Sequence, residues 1–173
     1  MHLSLLPLSF LIARAVADGA SIIAAMTTIS DATVALNNTV TSFPSNPLLD
    51  LLDIGPLLSD SITLLNDIDS ATSIAKQSGN LSLSDATSVA QATLALVSGV
   101  ESSLTNIVNA KSKFDKLLVV SPVILLNLKD EKSATDKFGA AVVAKIPPAL
   151  QATAQSLLAP IDDAFNSAIA AYE

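Results

Sequence analysis

The chain has no cysteine, no tryptophan and one histidine, His2, among its 173 residues. Without cysteine it forms no disulfide and has neither a thiol nucleophile nor a thiolate metal site. A Ser-His-Asp arrangement lacks its base, because His2 lies at the very start of the chain. Asp67 and Asp69 do not form an acid/base pair either, since side chains two residues apart on a helix diverge. These absences predict a protein that is not an enzyme, with no cofactor and no metal.

Aromatic residues make up 3% of the chain and charged residues 14%, whereas 50% of the residues are hydrophobic. The net charge is −7. An acidic, aromatic-poor chain neither neutralises phosphates nor stacks on bases, so no nucleic-acid partner is expected. Seven of the nine basic residues lie between Lys111 and Lys145. This cluster is either a solvated helix face or a local attraction for an anionic head group.

Residues 1–17 are predicted to be a signal peptide or an N-terminal extension. The 11-residue apolar run "LSLLPLSFLIA" precedes Ala15-Val16-Ala17, a small-x-small cleavage pattern. The alternative is an amphipathic first helix that is retained. No other uncharged stretch reaches the ~20 apolar residues of a membrane span, so no transmembrane span is expected. Two sequons make Asn37 and Asn80 glycosylation candidates, and Asn80, in a Gly-Ser loop, is the better one.

Residues 18–173 are predicted to form one domain of five helical segments, because apolar positions recur at helical spacing between proline and glycine breaks. The first segment is expected to end before Pro44, because proline cannot continue a helix. Ser84 is the expected N-cap of the third segment, and Ser121 with Pro122 is expected to begin the fourth. The segments are 18–42, 47–77, 85–118, 121–145 and 148–173. Their length and short connections predict an all-α fold, an antiparallel bundle of about five long amphipathic helices that encloses an apolar cavity.

The inward face of each helix follows from steps of three and four residues. The first helix has the stripe Met26, Ile29, Thr33, Leu36, Val40 and Phe43. The second has Leu51, Ile54, Leu58, Ser61, Leu65, Ile68, Thr72 and Ala75. The fourth is less regular, with Leu125, Leu128, Thr135, Phe138, Val142 and Ile146. Its acidic residues Asp130, Glu131 and Asp136 alternate with lysines and are predicted to form an exposed, ion-paired face.

Hydroxyl side chains lie within these apolar stripes, and two interpretations are open. Each hydroxyl can bond the carbonyl one turn back, which satisfies it in a solid core. Alternatively, several hydroxyls together hold a polar head group while aliphatic walls hold a tail. On the second interpretation Thr33, Ser61 and Ser103 bind the head group. The tail is then lined by Leu36, Leu65, Leu96, Val100, Ile107, Phe138, Val142, Leu157, Ile161 and Phe165.

Three stretches of the chain carry a family resemblance: "SDATVALNNTVTSF", "SGVESSLTNIVNAKSKFD" and "LLNLKDEKSATDKFGAAVVAKIPPAL". With them the chain resembles the fungal hydrophobic-surface-binding protein A and cell-wall galactomannoprotein family. The resemblance implies a secreted or cell-wall mannoprotein, antigenic in some members, that binds long-chain fatty acids such as arachidonic acid in a hydrophobic tunnel and so sequesters host signalling lipids. It equally implies the alternative of a structural wall protein that adsorbs to hydrophobic surfaces without a stoichiometric ligand. Many members carry a Ser/Thr-rich tail with a lipid anchor, which is not expected here.

Overall fold

The computed structural model describes residues 8–44, 54–117 and 120–173. Within these ranges the secondary structure is helical, with no strand. The helices are α1 (Leu8–Ser42), α2 (Ile54–Gln77), α3 (Leu83–Phe114), α4 (Val120–Val143) and α5 (Pro148–Tyr172). The predicted all-α fold of five long helices is therefore confirmed.

The five helices pack as a ring rather than around a central helix. Going round the ring, α1 contacts α2, α2 contacts α4, α4 contacts α5, α5 contacts α3, and α3 contacts α1 again. Contact across the ring, between α3 and α4, is slight. A ring of five helices leaves a space along its axis that side chains must fill or leave open, and this space is where the cavities described below lie.

Contacts at the helix ends show that successive helices alternate in direction. Thr39, near the end of α1, donates a 2.6 Å hydrogen bond to Asp60 near the start of α2. At the other end of the bundle the Gly79 amide, just after α2, donates to Asp18 of α1 at 2.9 Å. The packed pair α1/α2 is therefore antiparallel, and so is α4/α5, since Lys129 in the first half of α4 pairs with Glu173 after the end of α5 at 2.9 Å. Contacts between corresponding ends show that α1/α3, α3/α5 and α2/α4 run parallel.

The inward stripe predicted for α1 is confirmed, because all six of its residues are buried, Val40 to 1% exposure. In α2 the predicted Ser61, Ile68, Thr72 and Ala75 are buried. Two positions of that stripe are one residue off, since Leu57 and Leu64 are buried while Leu58 and Leu65 are half-buried. In α4, likewise, Ile124 is buried in place of Leu125. At each of these places two apolar residues are adjacent in the sequence, and helical periodicity does not determine which of the two faces inward. Packing against neighbouring helices sets the rotation of each helix.

Several helix ends differ from the prediction. The α1 helix begins at Leu8 rather than residue 18, and the α3 N-cap is Ser82 rather than Ser84. Ser82 Oγ accepts from the Asp85 amide at 3.1 Å and donates to its carboxylate at 2.6 Å, which makes the tighter cap. Ser121 lies inside α4 and donates to Asp115. The predicted end of α3 at residue 118 is too late, since the helix ends at Phe114 and a turn follows. The predicted start of α2 at residue 47, its Leu51 and the start of the signal segment lie outside the described residues.

Lysines of the basic cluster fasten helix ends. Lys113 Nζ donates to the Phe43 carbonyl after α1 at 2.8 Å. Lys145 Nζ donates to the Lys76 and Ser78 carbonyls at the end of α2, at 3.0 and 2.6 Å. A cation at a helix C-terminus stabilises the unpaired carbonyls and the helix dipole. These two lysines therefore have a structural use.

The part of α1 from Asp18 to Ser42 is long and apolar enough to cross a membrane by length and composition. In the bundle, 44% of its most apolar window is buried. Its apolar residues form one wall of the core against α2 and α3. Packing thus accounts for the buried part of this window, which is less than half of it.

Candidate functional site

An apolar cavity of about 230 Å³ lies among α3, α4 and α5. Its wall is mostly Val, Leu, Ile and Ala, with Met26 from α1 and Phe138 from α4. At Gly139 the absence of a side chain lets α5 approach α4, because a Cβ there would lie 2.8 Å from Leu158 Cδ1. The cavity is thus a product of small and aliphatic residues that the ring arrangement leaves only partly packed.

The first half of α5 covers this cavity. Leu150, Ala154 and Leu157 line it and are only half-buried. The second half of the helix is fastened more firmly, since its inward residues are buried and Tyr172 Oη donates to the Ile107 carbonyl of α3 at 2.7 Å. Pro160, which lacks an amide hydrogen, lies between the two halves.

A second, smaller cavity of about 40 Å³ lies in the middle of the ring and takes residues from all five helices. It shares four lining side chains with the larger cavity, which therefore stand between the two: Leu96, Thr135, Phe138 and Ile161. Rotation of these side chains would join the two spaces.

Both cavities have hydroxyl groups in their walls, and in the larger one these are Thr87, Thr93, Thr135 and Thr153. The one acid among the lining residues, Glu131, belongs to the smaller cavity. Glu131, Ser103, Thr33 and Thr135 all line it. Thr33 donates to the Ile29 carbonyl one turn back at 2.8 Å. Among the described residues, the hydroxyls of Ser103 and Thr135 have no hydrogen-bond partner. Ser103 is buried and Thr135 half-buried, and since no buried side-chain oxygen of the described residues lacks a partner, both hydroxyls border open space.

Glu131 is buried to 4% exposure, and Ser61 Oγ of α2 donates to its Oε1 at 2.6 Å. Burial raises the pKa of Glu131 to about 7, against the opposing effect of the Ser61 hydrogen bond, and the charge of Asp130 adds to the rise. The prediction that Glu131 belongs to an exposed charged face is therefore wrong. The prediction holds for Asp130 and Asp136, which are exposed, and Asp136 pairs with Lys132 Nζ at 3.1 Å.

The predicted lining residues largely reach the two cavities. The larger cavity includes Leu96, Phe138, Val142, Leu157 and Ile161. The smaller one includes Thr33, Leu36, Leu96, Val100, Ser103, Ile107, Phe138, Ile161 and Phe165. Leu65 lines neither, because α2 is rotated so that Leu64 faces the space. Ser61 lines neither cavity itself but bonds Glu131, which does.

The remaining hydroxyls of the stripes follow the solid-core interpretation. Thr72 donates to the Ile68 carbonyl and Thr93 to the Val89 carbonyl, each at 2.9 Å. Together with Thr33 they satisfy themselves one turn back. A ligand head group would therefore have to bind elsewhere. The polar groups left for it are Ser103, Thr135 and Glu131 at the smaller cavity and Thr153 at the larger one.

The two glycosylation candidates lie in different surroundings. Asn80 is exposed in the connection between α2 and α3. Asn37 lies inside α1, where its side-chain carbonyl accepts from Asn106 at 2.9 Å. Thr39 of the same sequon is bonded to Asp60. The local geometry favours Asn80.

Comparisons with known proteins give one family. A sequence model of the family described as hydrophobic surface binding protein A matches residues 19–144. Cell wall mannoprotein 1 of Aspergillus flavus is 30% identical over 145 residues. That alignment covers 84% of this chain and 50% of the relative, so the chain spans about half the length of the curated relative it matches.

Solved structures share the fold. AFMP4P, crystallised in complex with palmitic acid, superposes with a TM-score of 0.83 at 31% identity, covering 90% of this chain and 99% of that one. Ligand binding domain 1 of the Penicillium marneffei MP1 protein, complexed with arachidonic acids, has a TM-score of 0.82 at 15% identity, covering 90% and 99%. Because its sequence identity is low, the second match shows only that the fold is shared.

Proposed function

Since the chain belongs to the hydrophobic surface binding protein A family, we propose that it is a secreted or cell-wall protein that binds a long-chain fatty acid inside its helical ring. The proposal is for binding, not for catalysis. One observation carries it: an aliphatic cavity adjoins a smaller space with unpartnered polar groups. This is the arrangement that an acyl tail with a carboxyl end requires. The palmitic acid bound to AFMP4P supports the same ligand class here.

The chemistry of the wall suits a flexible alkyl chain. Burial of each methylene gains about 0.8 kcal/mol, and aliphatic side chains impose no flat shape on the ligand. The larger cavity, at about 230 Å³, is smaller than the ~300–1,000 Å³ of typical ligand pockets. Rotation of Phe138 and Leu96 would join the two cavities, but together they hold only about 270 Å³. A long tail therefore also requires the half-buried wall of α5 to move outward. The tail then lies in the larger cavity and the carboxyl end in the smaller one.

Substitution of Ala154 by phenylalanine tests the binding site. Ala154 lines the larger cavity from α5, so the ring in A154F fills the space that the tail needs. We expect palmitate affinity, measured by isothermal titration calorimetry, to fall at least about tenfold, the loss of roughly two buried methylenes. The matched control is A152F, which makes the same change at an exposed position of the same helix.

The control variant should bind like the unmodified chain. If A154F also retains full affinity while its helical content is unchanged, the tail does not occupy this cavity and the proposed site is wrong. Equal losses in both variants would instead indicate a general disturbance of α5.

Adsorption to hydrophobic surfaces is the second candidate function, and exposed apolar side chains favour it. Leu83 is 66% exposed, and Ile62 and Leu126 are 59% exposed. An oily solid would take up such residues without any use of the cavities. Saturation with fatty acid should then leave adsorption unchanged, whereas a role that depends on cavity binding would not.

Secretion is proposed from the apolar segment 1–17 together with the cell-wall name of the Aspergillus relative. Outside the cell, a fatty-acid-binding protein would sequester signalling lipids of a host. The fatty acid itself, arachidonic acid or another, is set by the length and shape of the joined space. Comparison of affinities across chain lengths tests this part of the proposal.

A further inference from the structure

The Glu131 carboxyl group is half satisfied by the protein. Oε1 accepts the 2.6 Å hydrogen bond from Ser61. Oε2 makes no hydrogen bond within the described ranges, and since no buried side-chain oxygen there lacks a partner, this atom borders open space. The Glu131 side chain is 4% exposed and lines the smaller cavity. A carboxyl oxygen that borders only a small apolar cavity is poorly solvated, which costs free energy. A ligand group that bonds it therefore gains more than it would at the surface.

No charge in the described part of the chain faces Glu131 across this cavity. The other lining side chains from α1, α2, α3 and α5 are apolar or carry a hydroxyl, so none of them is a titratable group. They are Ile29, Thr33 and Leu36 of α1, Leu64 and Ile68 of α2, Leu96, Val100, Ser103, Leu104 and Ile107 of α3, and Ile161 and Phe165 of α5. On α4 itself, Asp130 is exposed and opposes ionisation of Glu131, while Lys132 is held by Asp136 and Asp162. Within the described residues, the cavity therefore contains no cation that could pair with the carboxylate of a ligand.

We propose that Glu131, in its protonated form, donates a hydrogen bond from Oε2 to the carboxylate of the bound fatty acid, so that binding is linked to a proton and weakens as the pH rises. This inference rests on the proposed function and adds its mode of head-group recognition and its regulation. Above the pKa of Glu131, the Glu131 side chain of the free protein and the carboxylate of the ligand are both negatively charged, and the complex forms with uptake of one proton from solution. Below that pKa the proton is already present and none is taken up.

The geometry and the electrostatics agree with this assignment. Ser61 donates its hydroxyl hydrogen to Oε1, which leaves Oε2 to carry the proton of the neutral acid. Glu131 lines the smaller cavity. Burial holds the pKa near 7, so the neutral form is substantially populated at neutral pH. Two ionised carboxylates in the same apolar space would repel each other strongly, which is why one must hold a proton. A binding protein of this design loads at acidic pH and releases at alkaline pH.

The test compares palmitate binding by the unmodified chain and by E131Q at pH 6 and pH 8.5, with ligand kept monomeric. For the unmodified chain, affinity should fall between about ten- and thirtyfold over this interval, since each pH unit above the pKa contributes up to about tenfold. The side-chain amide introduced by E131Q donates at every pH, so affinity in this variant should change less than about threefold. Titration of the ligand itself affects both proteins equally and cancels in the comparison.

Two further readouts separate recognition from a merely structural role. Calorimetry in buffers of different ionisation enthalpy should show uptake of about one proton at pH 8 by the unmodified chain and none by E131Q. The neutral probe 1-hexadecanol, whose hydroxyl can donate to an ionised Glu131, should not lose affinity with pH. S61A removes the hydrogen bond that lowers the pKa of Glu131, so its affinity midpoint should move to higher pH.

Each outcome decides the matter. Tight palmitate binding with the same pH dependence in the unmodified chain and E131Q would overturn the role of Glu131 and leave fatty-acid binding intact. No binding of palmitate or hexadecanol by any of the proteins at pH 6 would overturn the proposed function itself. If E131Q does not fold, two measurements still test the role of Glu131: the pH midpoint of palmitate affinity in S61A and the proton uptake on binding by the unmodified chain.

Discussion

Glu131 places a carboxyl group where the surrounding side chains favour its neutral form. Its pKa of about 7 in the folded protein stands above the ordinary value of 4.5. A group of this kind stabilises the fold when it is protonated and withdraws that stabilisation on ionisation. The free energy of unfolding should therefore carry a term from Glu131 that is fully present below about pH 4.5 and is lost as the pH rises to about 7.

We expect the ligand-free protein to lose on the order of 3 kcal/mol of unfolding free energy between pH 5 and pH 8 because of this group. Urea unfolding at intervals of one pH unit measures the loss. The pKa values of Asp115 and Asp162 are held below the ordinary value of 3.8. Their contributions are therefore lost only at more acidic pH and do not affect this window. E131Q is the control, and an equally steep pH dependence in that variant would contradict the assignment.

The position of Glu131 could be predicted from the sequence only in part. Helical spacing leaves a gap between the inward Leu128 and Thr135, and Glu131 fills it at steps of three and four. The chemistry of the side chain predicts instead that Glu131 is exposed, because an acidic residue with lysine neighbours ordinarily lies at the surface. The deciding contact is Ser61, seventy residues away on α2. Local sequence does not contain that pairing, although helical spacing does predict that Ser61 faces inward.

At the scale of the helix, α5 combines a fastened half with a looser one. Ile161 and Phe165 are buried, and Tyr172 is bonded to α3. Before Pro160, the inward residues Leu150 and Leu157 are half-buried over an open cavity. A segment with few buried contacts opens at lower free energy than one that is fully packed. The first half of α5 is thus the wall that can move when a tail enters.

Amide hydrogen exchange should resolve the two halves of α5. In the ligand-free protein, amides of residues 152–158 should exchange faster than those of 163–171. Saturation with palmitate should slow exchange in the first half, because the tail supplies its missing contacts, and should leave the second half unchanged. A154F, with the cavity filled, should show protection of the first half without ligand. Equal exchange along the whole helix would argue against entry beneath α5.

Adjacent apolar pairs show why helix rotation escapes prediction. Leu57-Leu58 and Leu64-Leu65 each offer two inward positions, about 100° apart around the helix. The existence of α2 follows from its own sequence, whereas the choice of Leu57 and Leu64 follows from contact with α1 and α4. The α1 stripe, from Met26 to Phe43, is predicted in full from its spacing.

At the scale of the whole molecule, the ring order of the helices decides whether the core is solid. A filled core and a lined space have the same helical period, so the stripes alone predict both equally well. The cycle α1-α2-α4-α5-α3 surrounds the axis with little contact across it. With few aromatic residues to span that distance, the aliphatic side chains leave part of the axis open. The cavity is thus a consequence of topology and side-chain size together.

Stoichiometric binding in this space distinguishes a lipid carrier from an adsorbing wall protein. Native mass spectrometry of protein incubated with palmitate should show one or two bound molecules per chain. At a free ligand concentration about a hundred times the dissociation constant, binding to the folded state alone adds about 2.7 kcal/mol to the unfolding free energy. For a chain of this size that raises the melting temperature by roughly 5–10 °C.

A protein that acts only by adsorption gives the opposite result, because its apolar contacts form on a surface and not around a single molecule. Its mass would remain that of the free chain, its melting temperature would not respond to palmitate, and its uptake by hydrophobic beads would be unaffected by ligand. Bound palmitate with unchanged bead adsorption would assign the two activities to separate parts of the molecule: the cavity inside the ring, and the exposed Leu83, Ile62 and Leu126 outside it.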